Sequence, residues 1–235
     1  MTGSAEGSTP DETLQDPTSG VAQRLNAALE AAGMAPLQLS LASSFAAYLL
    51  LILRWSQRVN LTAIRDEDGI LSRHFVESIS CARALPVGIA TLLDLGSGGG
   101  FPGIPIALCR PEISVTLAES QGKKAAFLQE AVRLLGISAK IHGRRAEELQ
   151  VRFDCVTLRA VDRMPQAVQI AADFVREGGW IVLMTTQSEA AGLQSVAGPS
   201  FSWSALIPLP GSAERLLAFG QKSVLDPDPH SSHSD

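Results

Sequence analysis

The chain has little cysteine: Cys81, Cys109 and Cys155 are its only three in 235 residues, and no two form a C-x-x-C pair. That odd number without metal-ligand spacing excludes a disulfide framework and a zinc site, so no metal is expected and a reducing compartment is. There is no positively charged start followed by an apolar run, as a secretory signal requires. There is also no long hydrophobic run; the stretch from Phe45 to Leu53 is too short to cross a bilayer. A cytoplasmic protein without membrane association is therefore expected, and the sequon Asn60-Leu61-Thr62 carries no meaning. Basic excess is missing too. The formal net charge is −5, which argues against strong binding to naked nucleic acid.

The acids are unevenly placed. Residues 1–20 and 224–235 hold seven of the 24 acids and no Lys or Arg, leaving 17 acids against all 19 bases in between. The intervening part is thus slightly basic, and a patch on it can meet RNA with help from shape. Both tails are polar and aperiodic and read as disordered. His230 and His233 lie in the second and read as part of a frayed terminus. With 46% hydrophobic residues, the remainder suffices for one sizeable core with a helical extension.

Between the tails, residues 21–88 read as helical. Val21, Leu25, Ala28 and Leu29 form an amphipathic stripe that stops at Gly33. Ser40 is placed to cap a second helix to about Arg58, with Leu41, Phe45, Tyr48, Leu49, Ile52 and Trp55 on one face. That face reads as core. A third helix is expected from about Gly69 to Ala84, carrying Arg73 and His74. Arg54, Arg58, Arg65 and Arg73 fall within twenty residues and could form a basic face toward phosphate.

From residue 89 to 223 the pattern changes to alternating strands and helices. Strands are expected at Thr91–Asp94, Val115–Ala118, Ala139–His142, Phe153–Leu158 and Trp180–Met184, the last preceded by Gly178-Gly179. Helices are expected between them, and one follows near Glu189 to Val196. Alternation of this kind gives an α/β fold with a doubly wound, mostly parallel Rossmann-like sheet. Two final strands, Ser202–Ile207 and Arg215–Phe219, have no helix between them and are expected to form an antiparallel hairpin at one edge.

The chemistry centres on Thr91 to Pro105, T-L-L-D-L-G-S-G-G-G-F-P-G-I-P. A short apolar strand ends at Asp94; Gly96, Gly98 and Gly100 then alternate before a helix. Glycines at such a turn permit positive φ and close approach of backbone to a ligand. In doubly wound sheets ligands sit beyond the carboxyl ends of the strands. There the turn meets Glu119, at the end of the second strand, and Arg159, at the end of the fourth. A strand-end acid suits a ribose diol, whose two hydroxyls can both donate to one carboxylate. A carboxylate at Asp94 would repel a pyrophosphate but serve a sulfonium cofactor. Electrostatics therefore favours S-adenosylmethionine over a dinucleotide.

The motif D-L-G-S-G-G-G-F-P-G-I-P, with N-L-T at 60–62 and R-H at 73–74, closely resembles the bacterial 16S ribosomal RNA 7-methylguanosine methyltransferase family, glucose-inhibited division protein B. E-S-x-x-K-K at 119–124, R-A-E-E at 145–148, R-A at 159–160 and G-G before the fifth strand match in order. The resemblance covers roughly residues 21–222. It implies a class I methyltransferase that uses S-adenosylmethionine and methylates N7 of one guanine in small-subunit RNA. The substrate would be the RNA within the small subunit or an assembly intermediate, and the protein is expected to be a monomer. The implied cofactor residues are Asp94, Gly96, Gly98, Gly100, Phe101, Glu119, Ala146, Glu147 and Arg159. Arg73, His74, Lys123 and Arg145 are implied to meet RNA. The family often has an A-L-K-G-like segment where this chain has Leu183-Met184-Thr185-Thr186, so that lysine's contribution is missing. No general acid or base is expected, because guanine N7 already has a free lone pair. Arg159 is expected to help position base and cofactor. A methyltransferase acting on a small molecule or protein, or a non-catalytic cofactor sensor, remains open on the residues alone, with a dehydrogenase further off.

Overall fold

A computed structural model describes residues 17–224. The remainder of both predicted tails lies outside the described residues, but Pro17–Gly20 does not. These four residues open helix α1 (Pro17–Ala31), where proline at the first position suits a helix start. Val21, Ala22, Leu25 and Leu29 bury their side chains and hold that helix in place. Helix α2 (Leu39–Ser56) packs across it. Its N-cap is Gln38, with no side-chain capping bond, so Ser40 sits inside the first turn rather than capping it. By length and composition α2 could cross a bilayer. Seven of its residues, including Phe45, Tyr48 and Ile52, instead lie buried in the protein.

The third predicted helix is three pieces. A single turn α3 (Glu67–Gly69) runs into a π-helix (Ile70–Val76), which runs into α4 (Glu77–Ala84). A widened π segment re-aims side chains and is common at functional sites. Here it carries Arg73 and His74.

The strands are β1 (Thr91–Leu95), β2 (Ser114–Ala118), β3 (Lys140–His142), β4 (Phe153–Arg159), β5 (Val175–Thr186), β6 (Phe201–Trp203), β7 (Ile207–Pro208) and β8 (Arg215–Lys222). Helices α5 (Gly103–Cys109), α6 (Gly122–Leu135), α7 (Met164–Phe174) and α8 (Gln187–Ala197) connect them, with a 3₁₀ turn at Ala146–Glu148. The sheet order is β3-β2-β1-β4-β5-β8-β6, with β7 paired to β8. The first five strands are parallel, as the alternation predicts. The C-terminal strands are not a plain edge hairpin. β8 inserts between β5 and β6, antiparallel to both, and β6 takes the edge. β5 also begins earlier than expected: Gly178-Gly179 lies inside it, at a register shift opposite the start of β4. Gly178 has φ 71°, which a glycine adopts without strain.

One face of the sheet is covered by α1, α2, the π-helix, α4, α5 and α6 in a single apolar cluster. The other is covered by α7 and α8. The N-terminal helices thus share a core with the sheet, which brings them to its carboxyl edge.

Candidate active site

A crevice of about 970 Å³ lies at that edge. Its floor is the glycine turn after β1. Gly96 has φ 73°, and its N–H and that of Ser97 both donate to the Ala118 carbonyl at 3.0 Å, tying the turn to the end of β2. The Glu119 carboxylate, 6% exposed, accepts from the N–H of Gly98 at 3.0 Å and from that of Gln121 at 2.8 Å. A carboxylate offers about four acceptor directions. Two are used, so this buried acid at the crevice wall keeps capacity for a pair of donors such as a ribose diol. Ala146 and Glu147, in the 3₁₀ turn after β3, line the same wall. The far wall is the loop after β4, where Ala160 and Arg163 take left-handed φ values of 47° and 54°. Strain of that kind in non-glycine residues clusters at ligand sites.

Asp94 is not part of this wall. Its carboxylate is 1% exposed and turned into the protein, accepting from Gly103 N–H at 3.2 Å and from the Thr157 hydroxyl at 3.0 Å. It therefore braces the start of α5 against β4 and, contrary to the sequence expectation, does not face the crevice where a sulfonium would sit. Burial pushes its pKa up to about 6, against the opposing pull of the hydrogen bond from Thr157. A carboxyl raised in the folded state favours folding when protonated, so its ionisation removes stability as pH rises from about 4 through about 6. The expected result is that wild type gains on Asp94→Asn by about 2 kcal/mol between pH 7.5 and pH 4.5, in paired denaturant titrations. A constant difference between the two proteins would contradict this.

The N-terminal helices roof the crevice. His74 stacks on Phe101, with ring centroids 4.5 Å apart and planes 15° apart. Its Nε2 lies 2.6 Å from the Thr62 hydroxyl, which also accepts from Ile64 N–H. Burial, with the charges of Arg159 and Arg73, lowers its pKa to about 3, so it is neutral at physiological pH. Tyr48, the chain's single tyrosine, reaches from α2 to donate to the Gly99 carbonyl. The Tyr48 ring is core, as the helical stripe predicts, but its hydroxyl buttresses the glycine turn.

Arg159 does not pair with Asp94 or Asp162. It donates to the Glu77 carboxylate at 2.8 Å, to the Arg73 carbonyl at 2.6 Å and to the Ser78 hydroxyl at 3.3 Å. Burial lowers its pKa below the ordinary value, and the Glu77 charge works against that. Glu77 also accepts from Arg215 at 2.7 Å.

Of the residues singled out in the sequence, the crevice brings together Gly96, Gly98, Phe101, Glu119, Ala146, Glu147, Arg159, Arg73, His74 and Arg145. Gly100 is turned inward: a Cβ there would meet Ile104 Cδ1 at 2.5 Å and the Tyr48 hydroxyl at 2.6 Å. Lys123 is not in the wall, whereas Lys124 is. The expected basic face does not form as a unit. Arg54 pairs with Glu130 on α6, and of the four arginines Arg73 alone lines the crevice among the described residues. Sequence reasoning missed Glu77 and Arg215, as well as Thr185 and Thr186 at the end of β5, whose hydroxyls both donate to Glu189 in α8.

The fold is that of known methyltransferases. The O-methyltransferase from Bacillus cereus in complex with SAH superposes with a TM-score of 0.53 at 16% identity, over 75% of this chain and 91% of that one. The methyltransferase from Pyrococcus furiosus gives 0.54 at 13% identity, over 63% and 83%. In sequence, the chain is 41% identical over 152 residues to the ribosomal RNA small subunit methyltransferase G of Xanthomonas euvesicatoria pv. vesicatoria (strain 85-10), covering 62% of this chain and 71% of that protein. It is 42% identical over 151 residues to the protein of that name from Stenotrophomonas maltophilia (strain K279a), covering 63% and 70%. The family model described as rRNA small subunit methyltransferase G matches residues 41–198, from α2 through the glycine turn to the end of α8, and the chain belongs to that family.

Proposed function

We propose that the protein transfers the methyl group of S-adenosylmethionine to N7 of one guanine in small-subunit ribosomal RNA, acting as a cytoplasmic monomer on the RNA within the subunit or its assembly intermediate. The observation that carries the reading is the Glu119 carboxylate, buried at the end of β2, bonded to the glycine turn and still able to accept at the crevice wall. In this reading residues 89–223 hold cofactor and base, and the helices of residues 21–88 roof the site.

S-adenosylmethionine, when bound, supplies an electrophilic methyl on a sulfonium. Glu119 would take the ribose diol, Gly96 and Gly98 would let the backbone approach, and Ala146 with Glu147 would flank the adenine. Guanine N7 carries a free lone pair, so a bound sulfonium would supply the electrophile to it and the protein would have no proton to move. The side chains therefore have to align the reactants and exclude water, which suits a site whose one histidine is held neutral. Arg73 and Arg145 at the rim, with Arg159 in the wall, meet RNA oxygen atoms. The target base has to be splayed from its stack to enter, as singly read RNA bases are.

The test is transfer of labelled methyl to unmodified small subunits, with the modified base mapped. A single N7-methylguanine is the expected product. Tight cofactor binding without incorporation would instead point to a different acceptor or to a sensor.

A further inference from the structure

Glu77 is the one acid that the reaction outlined above does not use although it is buried at the crevice. It sits at the first position of α4, where the π-helix ends, and is 1% exposed. Each of its oxygens takes a different arginine: Oε2 accepts from Arg159 at 2.8 Å and Oε1 from Arg215 at 2.7 Å. Arg159 comes from the end of β4 and Arg215 from the start of β8, on opposite sides of β5. All three side chains line the crevice. A second anchor fixes Arg159: its guanidinium donates to the Arg73 carbonyl inside the π-helix. The roof helices therefore hold two guanidiniums from separate strands at one point of the wall.

We infer that Glu77 is a positioning residue, which sets Arg159 and Arg215 as a fixed pair of donors for a phosphate of the acceptor RNA. The inference rests on the RNA methyltransferase reading. Two guanidiniums against one carboxylate leave one positive charge over, and each arginine keeps N–H groups that Glu77 does not use. That suits a phosphate, which takes forked donors. Glu77 also offsets half of the repulsion that two bare arginines would exert on a base that becomes cationic as it is methylated.

The placement makes a prediction opposite in sign to a pure charge effect. Glu77→Gln makes the crevice more positive, so charge alone would tighten binding of RNA. Positioning predicts the reverse, because the amide offers one acceptor oxygen where two arginines need one each. The experiment measures KM and kcat for unmodified small subunits over a range of salt, with the cofactor dissociation constant and melting temperature measured separately. For Glu77→Gln the KM is expected to rise about tenfold. The slope of log KM against log salt should fall by about one, as for one lost phosphate contact. The cofactor dissociation constant should stay within threefold of wild type. Glu77→Asp keeps the charge but shortens the reach by one methylene. It is expected to melt near wild type with an intermediate KM, and it decides the matter if Glu77→Gln does not fold. An unchanged or lower KM in the folded variant, or a cofactor affinity that falls in step with the melting temperature, overturns the inference. Wild type that methylates no subunits overturns the functional reading and the inference together. Wild-type activity with an unmoved variant overturns the inference alone.

Discussion

Replacing Glu119 by alanine is expected to raise the dissociation constant for S-adenosylmethionine about 100-fold or more, measured by isothermal titration. The carboxylate is buried and accepts two backbone N–H groups, one from the glycine turn and one from Gln121 at the N-cap of α6. Hydrogen bonds to a charged group are worth about 1.5–3 kcal/mol each, so losing two to a ribose diol reaches that fold-change. Alanine also releases the turn, since Gly98 loses its tether. Glu119→Gln separates the two effects. Its single carbonyl oxygen can keep one tether while its amide opposes a donor, so affinity should fall less than for alanine. An alanine variant that binds cofactor as wild type does would mean that Glu119 only braces the turn.

The largest loss of stability is expected at Gly103, the first residue of α5. It is not a left-handed position; the constraint is space. A Cβ there would run into Leu117 Cδ2 and lie 2.6 Å from Asp94 Oδ2. Leu117 belongs to β2 and is fully buried, and Asp94 is held by Thr157 and by the N–H of Gly103 itself. Neither can give way cheaply, because helix and sheet meet here backbone to side chain. Overpacking of this kind costs about 3 kcal/mol, which lowers the melting temperature by about 10 °C in a protein of this size. Differential scanning calorimetry of Gly103→Ala checks it. A melting temperature within 2 °C of wild type, allowing about 2–4 °C per kcal/mol, would show that β2 and α5 can separate locally.

Much of the site was legible because its chemistry is local in sequence. Gly96 to Phe101 and Glu119 lie on consecutive strand ends, and in a parallel sheet consecutive strand ends meet at one edge. The helical stripe through Phe45, Tyr48 and Ile52 located a core face for the same kind of reason, a period of 3.6. Asp94 was misplaced although a signal for it exists. Side chains alternate along a strand, and Leu92 and Leu95 pack into the clusters on opposite faces of the sheet. Asp94 shares the face of Leu92, under α5, and cannot point out of the strand end.

The amino-acid sequence by itself determined the strand and helix alternation, the glycine turn with its strand-end acid, and the family. Each follows from residues close together along the chain, whose local geometry is set by backbone preference and periodicity. Tertiary structure alone decided three things. The π segment of residues 70–76 turned Arg73 and His74 onto the roof of the crevice. The insertion of β8 beside β5 brought Arg215 to the carboxyl edge. Glu77 then joined Arg215 to Arg159 across 138 and 82 residues of sequence. Such pairings leave no trace in a local pattern, because a buried carboxylate takes whichever cations the packing of distant strands delivers to it.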